Sequence, residues 1–597
     1  MTAESAPASA LEPAAQLAAT SAAKSAPEPN GPEGAEAVDV LVVGSGAGGL
    51  SAAVTAAHRG LDVLVVEKEP VFGGTTARSG GWLWIPCNGP SAREGVQDSV
   101  EAARTYLQHE AGNHFDPARV DAFLENGPKM VDFFESETEV GFITGTAFAD
   151  YHPLAPGGTD GGRSICAAPY DGRRLGDEVK RLRPPLKEIT VLGMMIGSGK
   201  ELLHFFNVTK SLTSAAFVAR RLVSHVFDVA TKGRSMRLTN GNALAARLAK
   251  SAFDRGVRLW TSAPAVELIV DGDGAVTGAV IERDGARVTV TARRGVVLAS
   301  GGFPQDLDRR QRLFPHAPTG AEHHSPAPPG NTGDGLRLAE TAGASLDESL
   351  PNAAAWVPVS KVPWPDGSVG VFPHFIDRAK PGVIAVAPSG RRFVNEGNSY
   401  HDFVQALVKA CDGEPGEARG WLVIDHRAIR KYGLGFAKPF PLPIAPYLHS
   451  GYLKRGRTPA ELAGEIGVDP ATFEATVTRF NTFGPGGEDP DFAKGSTAYN
   501  RFQGDPEIKP NPCVHPLDTP PYYAVEVVVG DLGTFAGIRT DANAQALGAD
   551  GRPIPGLYAV GNDNASIMGG NYPGGGITLG PGMTFGYIVG NRLADHG

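Results

Sequence analysis

Six residues, Gly44-Ser45-Gly46-Ala47-Gly48-Gly49, and one acid, Glu67, have the types and spacing to hold a dinucleotide. Gly44 permits a tight turn, Gly46 lets backbone approach a pyrophosphate, and Gly49 lets a helix pack closely on a sheet. A helix opening there directs free N–H groups and a positive dipole end at phosphates. Glu67, with Lys68 beside it, is placed to accept hydrogen bonds from ribose hydroxyls. With 77 glycines in the chain the pattern alone is weak evidence. Its setting is stronger: residues 38–43 read as a β-branched strand, 50–58 as a helix and 62–66 as a second strand ending on the acid.

The next loop separates a flavin from a nicotinamide. Instead of continuing a βαβ pattern, the chain gives Phe72-Gly73-Gly74-Thr75-Thr76-Ala77-Arg78-Ser79-Gly80-Gly81-Trp82. Gly74, Thr75, Thr76, Ser79, Gly80 and Gly81 suit a long, extended cofactor whose far ring meets backbone N–H groups. The alternative is an ordinary glycine-rich connection. Further on, strands at 266–270, 276–282 and 288–290 form a meander, and a strand at 295–300 runs through Ala299 into Gly301-Gly302-Phe303. A meander returning to a parallel sheet favours FAD over NAD.

A chain of 597 residues is expected to hold two or more domains. The net charge of −10 argues against a nucleic-acid partner. Cysteines 87, 166, 411 and 513 stand far apart, which suggests reduced thiols in the cytoplasm, with no disulfide frame and no metal site. Residues 1–36, rich in Ala, Pro, Ser and Glu, read as a disordered tail and not as a secretory signal. The longest uncharged apolar stretch, 189–199, is shorter than the ~20 residues needed to cross a bilayer.

The expected architecture is α/β: a Rossmann-like FAD-binding domain of glutathione-reductase type, 37–303 and 532–597, carrying an inserted α+β substrate domain at 304–531. Helices are expected at 96–110, after Asp116-Pro117, and at 202–232. In the last, Leu212, Ala215, Ala219, Leu222 and Val226 fall on one side. That stretch is basic and amphipathic, so it reads as a peripheral membrane contact or as a surface helix covering the core. Residues 149–158 hold too much Gly and Pro for a helix or central strand, and Tyr151 there is either a packing or a site residue.

The GSGAGG fingerprint with Glu67, the GGTTARSGG loop, NTGDG at 331–335, GRRFVNE at 390–396 and GNDNASIMGGNYPGGGITLGPGMTFGY at 561–587 resemble the flavoprotein fumarate reductase superfamily. Within it they are most similar to the 3-oxosteroid Δ1-dehydrogenases. The resemblance implies FAD contacts at Asp334, Gly561, Asn562, Gly576, Thr578 and Leu579. It implies loss of the 1α hydrogen of a 3-ketosteroid as hydride to flavin N5 and of the 2β hydrogen as a proton to a tyrosine, in steroid catabolism. Carried over, that base is Tyr400, its assistant Tyr151, and the holders of the ketone are Tyr572 and the amide of Gly576. Residues 75–84 lack the histidine that covalently flavinylated relatives carry, which implies non-covalent FAD. A quinone or other acceptor is expected to take the electrons.

Elementary chemistry agrees with such a site. A C–H beside a ketone is a weak acid, so the enolate oxygen needs donors, each worth ~2.7–4 kcal/mol. A phenol of pKa ~10 is a poor base at neutrality unless a neighbour favours its phenolate, a task suited to Tyr151. Tyr400 and Tyr151 can also be ordinary half-buried tyrosines. Three rivals remain at this stage: a reductase of an unsaturated carboxylate or cyclic enone, a steroid dehydrogenase acting at another ring position, and a non-catalytic flavin carrier. The first needs cations to grip a carboxylate. Residues 561–587 contain no Lys, Arg or His, which leaves Arg378, Arg391 and Arg392.

Overall fold

The first strand is apolar on both faces, and that decides where it sits. β1 (Gly34–Val43) sends Val40 and Val42 into one buried cluster and Val38, Leu41 and Val43 into another, as a strand covered on both sides must. The computed structural model describes residues 34–197 and 200–595. The expected tail lies outside the described residues up to 33. Gly34, Ala35 and Glu36, expected in that tail, instead pair with Val288, Thr289 and Val290.

The chain continues through α1 (Ala47–His58) and β2 (Val63–Val66), which lies parallel to β1. α2 (Pro117–Glu137) starts where Asp116 accepts a hydrogen bond from Arg119 N at 3.2 Å. α3 (Leu212–Lys232) and β3 (Arg258–Trp260) follow. The meander is β4 (Ala265–Val270), β5 (Val276–Arg283) and β6 (Ala286–Leu298). Its third strand and the strand expected to return separately to the sheet are one: β6 is antiparallel to β5 on one edge and parallel to β1 on the other. A register shift against β1 between Val38 and Val40 absorbs the change.

The inserted segment supplies β7 (Ala354–Pro363), β8 (Val369–Pro373), β9 (Val383–Val386), α4 (Tyr400–Ala410), β10 (Arg419–Asp425) and β11 (Tyr522–Thr534). These strands build an antiparallel sheet in the order β8-β7-β11-β10-β9. β11 keeps its pairing to Thr534, so we propose the passage back to the first unit there, not at 532. β12 (Gln545–Leu547), β13 (Pro553–Ala559) and α5 (Leu579–Asp595) complete the chain. β13 joins β6 in the larger sheet, whose path is β12-β13-β6-β1-β2-β3. The result is a dinucleotide-binding α/β fold with an inserted antiparallel unit.

Two helical expectations need correction. The helix foreseen at 96–110 is Val100–Ala111, because Ser99 caps it by accepting from Ala102 N at 3.1 Å. Residues 202–232 form two helices, Lys200–Phe206 and α3, broken where Asn207 O accepts from the amides of Lys210 and Ser211. α3 is also turned the other way round: Leu212 and Val226 are 91% and 66% exposed, while Ser214, Val218, Arg221, His225 and Asp228 are buried. Polar tethers hold this orientation. Arg221 pairs with Glu201 at 2.9 Å, His225 meets Leu192 O at 2.9 Å, and Asp228 pairs with Arg173 and accepts from Met236 N.

Candidate active site

The glycine turn after β1 performs the packing expected of it. At Gly49 a Cβ would lie 2.2 Å from Gly44 O, so only glycine lets α1 start this close to the sheet. Glu67, at the end of β2, accepts from Ser45 Oγ at 2.5 Å and from Glu69 N at 3.0 Å. Thr76 Oγ1 accepts from Ala47 N at 3.0 Å, which joins the second glycine loop to the first. Lys68 is paired with Asp334 and with Thr332 Oγ1.

Together these segments line a cleft of about 750 Å³, with Gly44, Gly46, Glu67, Lys68, Gly74, Thr75, Ala299, Gly301, Asp334 and Asn562 on its walls. Gly561, Asn562 and Thr578 line an adjoining cavity. Ser79 turns its hydroxyl to Thr76 O, and Gly241 N donates to Ser79 O, so Ser79–Gly81 pack on the helix Asn240–Phe253 and do not line the cleft. The donor set suits a flavin dinucleotide. Among the described residues, the amides of Gly46, Gly48 and Gly49, of Gly74, Thr75 and Thr76, and of Gly574 to Leu579 have no hydrogen-bond acceptor. These groups supply rows of donors for phosphate and ring oxygens.

Asn331 and Asp563 belong to this site and were not singled out beforehand. Asn331 Nδ2 donates to Thr75 Oγ1 and Gly301 O, both at 3.2 Å. Asp563, buried, accepts from the amides of Ser300 at 2.6 Å and Gly302 at 2.8 Å, which fixes the turn carrying Ala299 and Gly301. Both stand inside quoted motifs, NTGDG and GND, so the signal was there.

Next to the amide row the structure gathers tyrosines from four segments. The hydroxyls of Tyr151 and Tyr400 are 3.1 Å apart. The rings of Tyr151 and Tyr572 stack at 5.4 Å, and Tyr400 meets Tyr572 edge-on at 4.8 Å. Tyr499, on the helix Ala498–Gln503, has its ring 4.4 Å from the Tyr151 ring. Nothing in its local sequence marks Tyr499 as a site residue. Gly576 takes φ +105°, where a Cβ would lie 2.5 Å from the Trp82 carbonyl. Phe148 stacks on Phe502 at 5.1 Å and on Tyr499, closing one side.

Burial sets the protonation of this cluster. It raises Tyr400 and Tyr151 well above the usual phenol range and pushes Tyr572 up to about 12, where a hydrogen bond with Tyr400 offsets part of the rise. Tyr151 donates to Tyr400 at 3.1 Å, the contact expected of it, and burial nonetheless keeps Tyr400 high. Arg378, fully buried, acts electrostatically on Tyr499, Tyr151 and Tyr400.

Arg378 does not grip a carboxylate: its guanidinium donates to the carbonyls of His374, Phe375, Glu396 and Asn398. Arg392 is paired with Glu396 and Asp489, and Arg391 is exposed. Arg378 and Arg392 are thus engaged by carbonyls and carboxylates of the chain itself.

His152 ties the tyrosine-bearing segments together. Its Nδ1 meets Glu110 and its Nε2 meets Asp402, each at 2.8 Å, joining the Tyr151 loop to α4, which begins with Tyr400. The Pro573 carbonyl accepts from Tyr151 N at 2.8 Å and from Tyr106 Oη at 2.7 Å, which adds the Tyr572 segment. Burial alone would lower the His152 pKa, but the hydrogen bonds to Asp402 and Glu110 outweigh it and hold the imidazolium up to about 10. Because that value lies above the unfolded ~6.5, its stabilisation is complete below 6.5 and is lost as pH rises through about 10. His152→Gln is expected to lower the melting temperature at pH 7, and the difference from the parent should vanish above pH 10. A constant difference across a pH series of thermal melts would refute the charged clamp.

Comparison with known proteins places this geometry among others. The model of the FAD binding domain family matches residues 39–579. The chain is 43% identical over 558 residues to a 4-oxocyclohex-2-ene-1-carboxylate 5-dehydrogenase of Sinomonas cyclohexanicum, covering 94% of each. It is 39% identical to a 3-oxosteroid 1-dehydrogenase of Mycobacterium tuberculosis, covering 93% of this chain and 98% of the other. Among solved structures, the 3-ketosteroid Δ1-dehydrogenase of Sterolibacterium denitrificans in complex with 1,4-androstadiene-3,17-dione superposes with a TM-score of 0.86 at 36% identity, over 94% of this chain and 100% of that one.

Proposed function

The chain belongs to the FAD binding domain family and is an FAD-dependent oxidoreductase acting on CH–CH bonds; from this we propose that it desaturates a 3-ketosteroid at C1–C2. The observation that carries the reading is the meeting of Tyr151, Tyr400 and Tyr572 beside the unpaired Gly576 amide. In this reading the Tyr572 hydroxyl and the Gly576 N–H hold the ketone oxygen and stabilise the charge that grows on it. Tyr400 takes the proton from the carbon next to the carbonyl. Tyr151 shares that proton's site through its 3.1 Å hydrogen bond, and Arg378 supplies positive potential to the cluster. FAD held non-covalently against the free amides of Gly46, Gly48 and Gly49 and of Gly574–Leu579 would supply the acceptor for the hydride that leaves the neighbouring carbon as the double bond forms.

A second reading keeps this chemistry on a single ring, a 4-oxocyclohexane-type ketone. Two observations favour it: the tight aromatic wall of Phe148, Phe502 and Tyr499, and the 43% identity to a dehydrogenase of that substrate class. The deciding experiment mixes the yellow protein anaerobically with 4-androstene-3,17-dione and, separately, with 4-oxocyclohex-2-ene-1-carboxylate. Bleaching with appearance of the 1,4-diene supports the steroid. Bleaching only by the monocyclic ketone moves the protein to the second reading, and bleaching by neither refutes both.

For a lipid-soluble substrate we also propose that α3 rests on an anionic membrane surface. Among the described residues, no helix is long and apolar enough to cross a membrane. α3 nevertheless exposes Leu212, Val223, Val226 and Phe227 beside Arg220 and Lys232, while its one acid, Asp228, is buried. Such a face binds by apolar insertion and by charge. Sedimentation with phosphatidylglycerol vesicles is expected for the parent and not for Val223→Asp/Phe227→Asp. Association of the parent into dimers without vesicle binding would assign the face to a second copy instead.

A further inference from the structure

The segment that carries Tyr572 is anchored on its C-terminal side by the Pro573 carbonyl, which accepts from Tyr151 N and Tyr106 Oη. On its N-terminal side stand two glycines in succession, Gly569 at φ +63° and Gly570 at φ +82°. A glycine pair is the most permissive backbone a chain can have, so it holds no direction of its own. The direction must come from outside.

Three hydrogen bonds supply it. Trp356 N, on β7, donates at 3.1 Å to Nδ1 of His401, which follows Tyr400 at the start of α4. The indole Nε1 of the same tryptophan donates to Asn352 Oδ1 at 2.8 Å. Asn352 Nδ2 in turn donates to Gly570 O at 2.9 Å. That last bond fixes the plane of the Gly570–Asn571 peptide, one residue before Tyr572. The route therefore starts next to Tyr400 and ends next to Tyr572. Packing sets where the segment lies: a Cβ at Gly569 would stand 2.6 Å from Ala111 Cα, and one at Gly570 would stand 2.8 Å from Pro351 Cδ. Asn352 sets which way the peptide faces. Its supports are firm, since Trp356 is 4% exposed and His401 is fully buried. Burial holds the His401 imidazole down to about 4, so Nδ1 remains an acceptor at neutral pH.

We propose that Asn352, held in place by Trp356, is a positioning residue for the Tyr572 hydroxyl: it locks the Gly570–Asn571 peptide so that the hydroxyl meets the ketone oxygen in the orientation that stabilises the growing charge. The proposal rests on the dehydrogenase reading above. A misplacement of ~1 Å in such a group costs on the order of 10²-fold in rate. Asn352 acts only through Tyr572, and its loss leaves the other groups of the site where they are.

The first arm of the test needs no ketone. In holoenzyme, peptides covering 566–576 are expected to exchange amide hydrogens roughly tenfold faster in Asn352→Leu and in Asn352→Asp than in the parent, with FAD content and the exchange of 100–111 unchanged. The aspartate keeps the acceptor for Trp356 Nε1 and sets an oxygen against the Gly570 carbonyl, so it isolates the donor. Parental exchange at 566–576 in both variants overturns the proposal whatever the substrate is. The second arm times turnover of whichever of the two ketones bleaches the parent. Both variants should lose roughly 10–100-fold in kcat and keep the Michaelis constant within about twofold. Asn352→Leu placed on Tyr572→Phe should add less than about twofold, because the hydroxyl it serves is already gone. A rise in the Michaelis constant alone, or losses that multiply in the double variant, assigns Asn352 to general packing and overturns the proposal. Faster exchange in a protein that neither ketone bleaches withdraws the dehydrogenase reading while the tether stands, and ends the role given to Asn352.

Discussion

Tyr400→Phe is expected to slow anaerobic flavin reduction by the ketone about a thousandfold, within the 10²–10⁴ that a positioned general base contributes. The substitution removes one oxygen and keeps the ring that packs on Tyr572 and Phe375, so folding and FAD content should be unaffected. A pH series makes the prediction specific to a base. Burial holds Tyr400 well above the ordinary phenol pKa, so its phenolate is scarce at neutrality. The parental rate should climb roughly tenfold per pH unit from pH 7 towards pH 9, while the variant's small residual rate should stay flat. Tyr151→Phe should keep the slope but lower the rate, since it removes only the 3.1 Å partner. A parent with a flat profile, or a Tyr400→Phe protein that still bleaches within tenfold of it, takes the proton away from this residue.

The second large effect belongs to the ketone oxygen. Tyr572→Phe deletes one of its two donors, and loss of a single donor of this kind costs 10²–10³ in kcat, or ~2.7–4 kcal/mol. The Michaelis constant should change little, because the interaction strengthens as charge grows on the oxygen. Gly576→Ala is the companion. At φ +105° its Cβ would meet the Trp82 carbonyl at 2.5 Å, so the backbone must shift and the N–H turn away. If Tyr572→Phe raised the Michaelis constant and left kcat alone, the hydroxyl would be a binding contact and nothing more.

The fold was legible largely because its signals are local. The run 38–43, the glycine turn and Glu67 lie within one βαβ stretch, whose strands and helix form where the pattern puts them and whose Gly49 packs as its type requires. Boundaries failed where tertiary contacts outvoted local pattern. The face of α3 was misread because Arg221 and Asp228, polar by type, are drawn inwards by Glu201 and Arg173, which no periodicity reveals. In the site, Tyr151, Tyr400, Tyr572 and Gly576 came from resemblance, and the structure brings the three tyrosines together from distant segments. Tyr499 and His152 were invisible as site residues and Arg378 was weighed only as a grip for a carboxylate, because their meaning lies in what they touch across the chain.

The stack of Phe148 on Phe502 is anchored differently from the tyrosines. The Tyr151 and Tyr572 segments are fastened to one another through the Pro573 carbonyl, and His152 fastens Tyr151 to α4, whereas Phe502 is 47% exposed on a six-residue helix. On the proposed reading the groups that activate the carbonyl are locked as a unit, while the Phe148–Phe502 stack is held through the short helix that also carries Tyr499. We propose that new substrates are reached by rebuilding Phe502 with Tyr499 left as it stands.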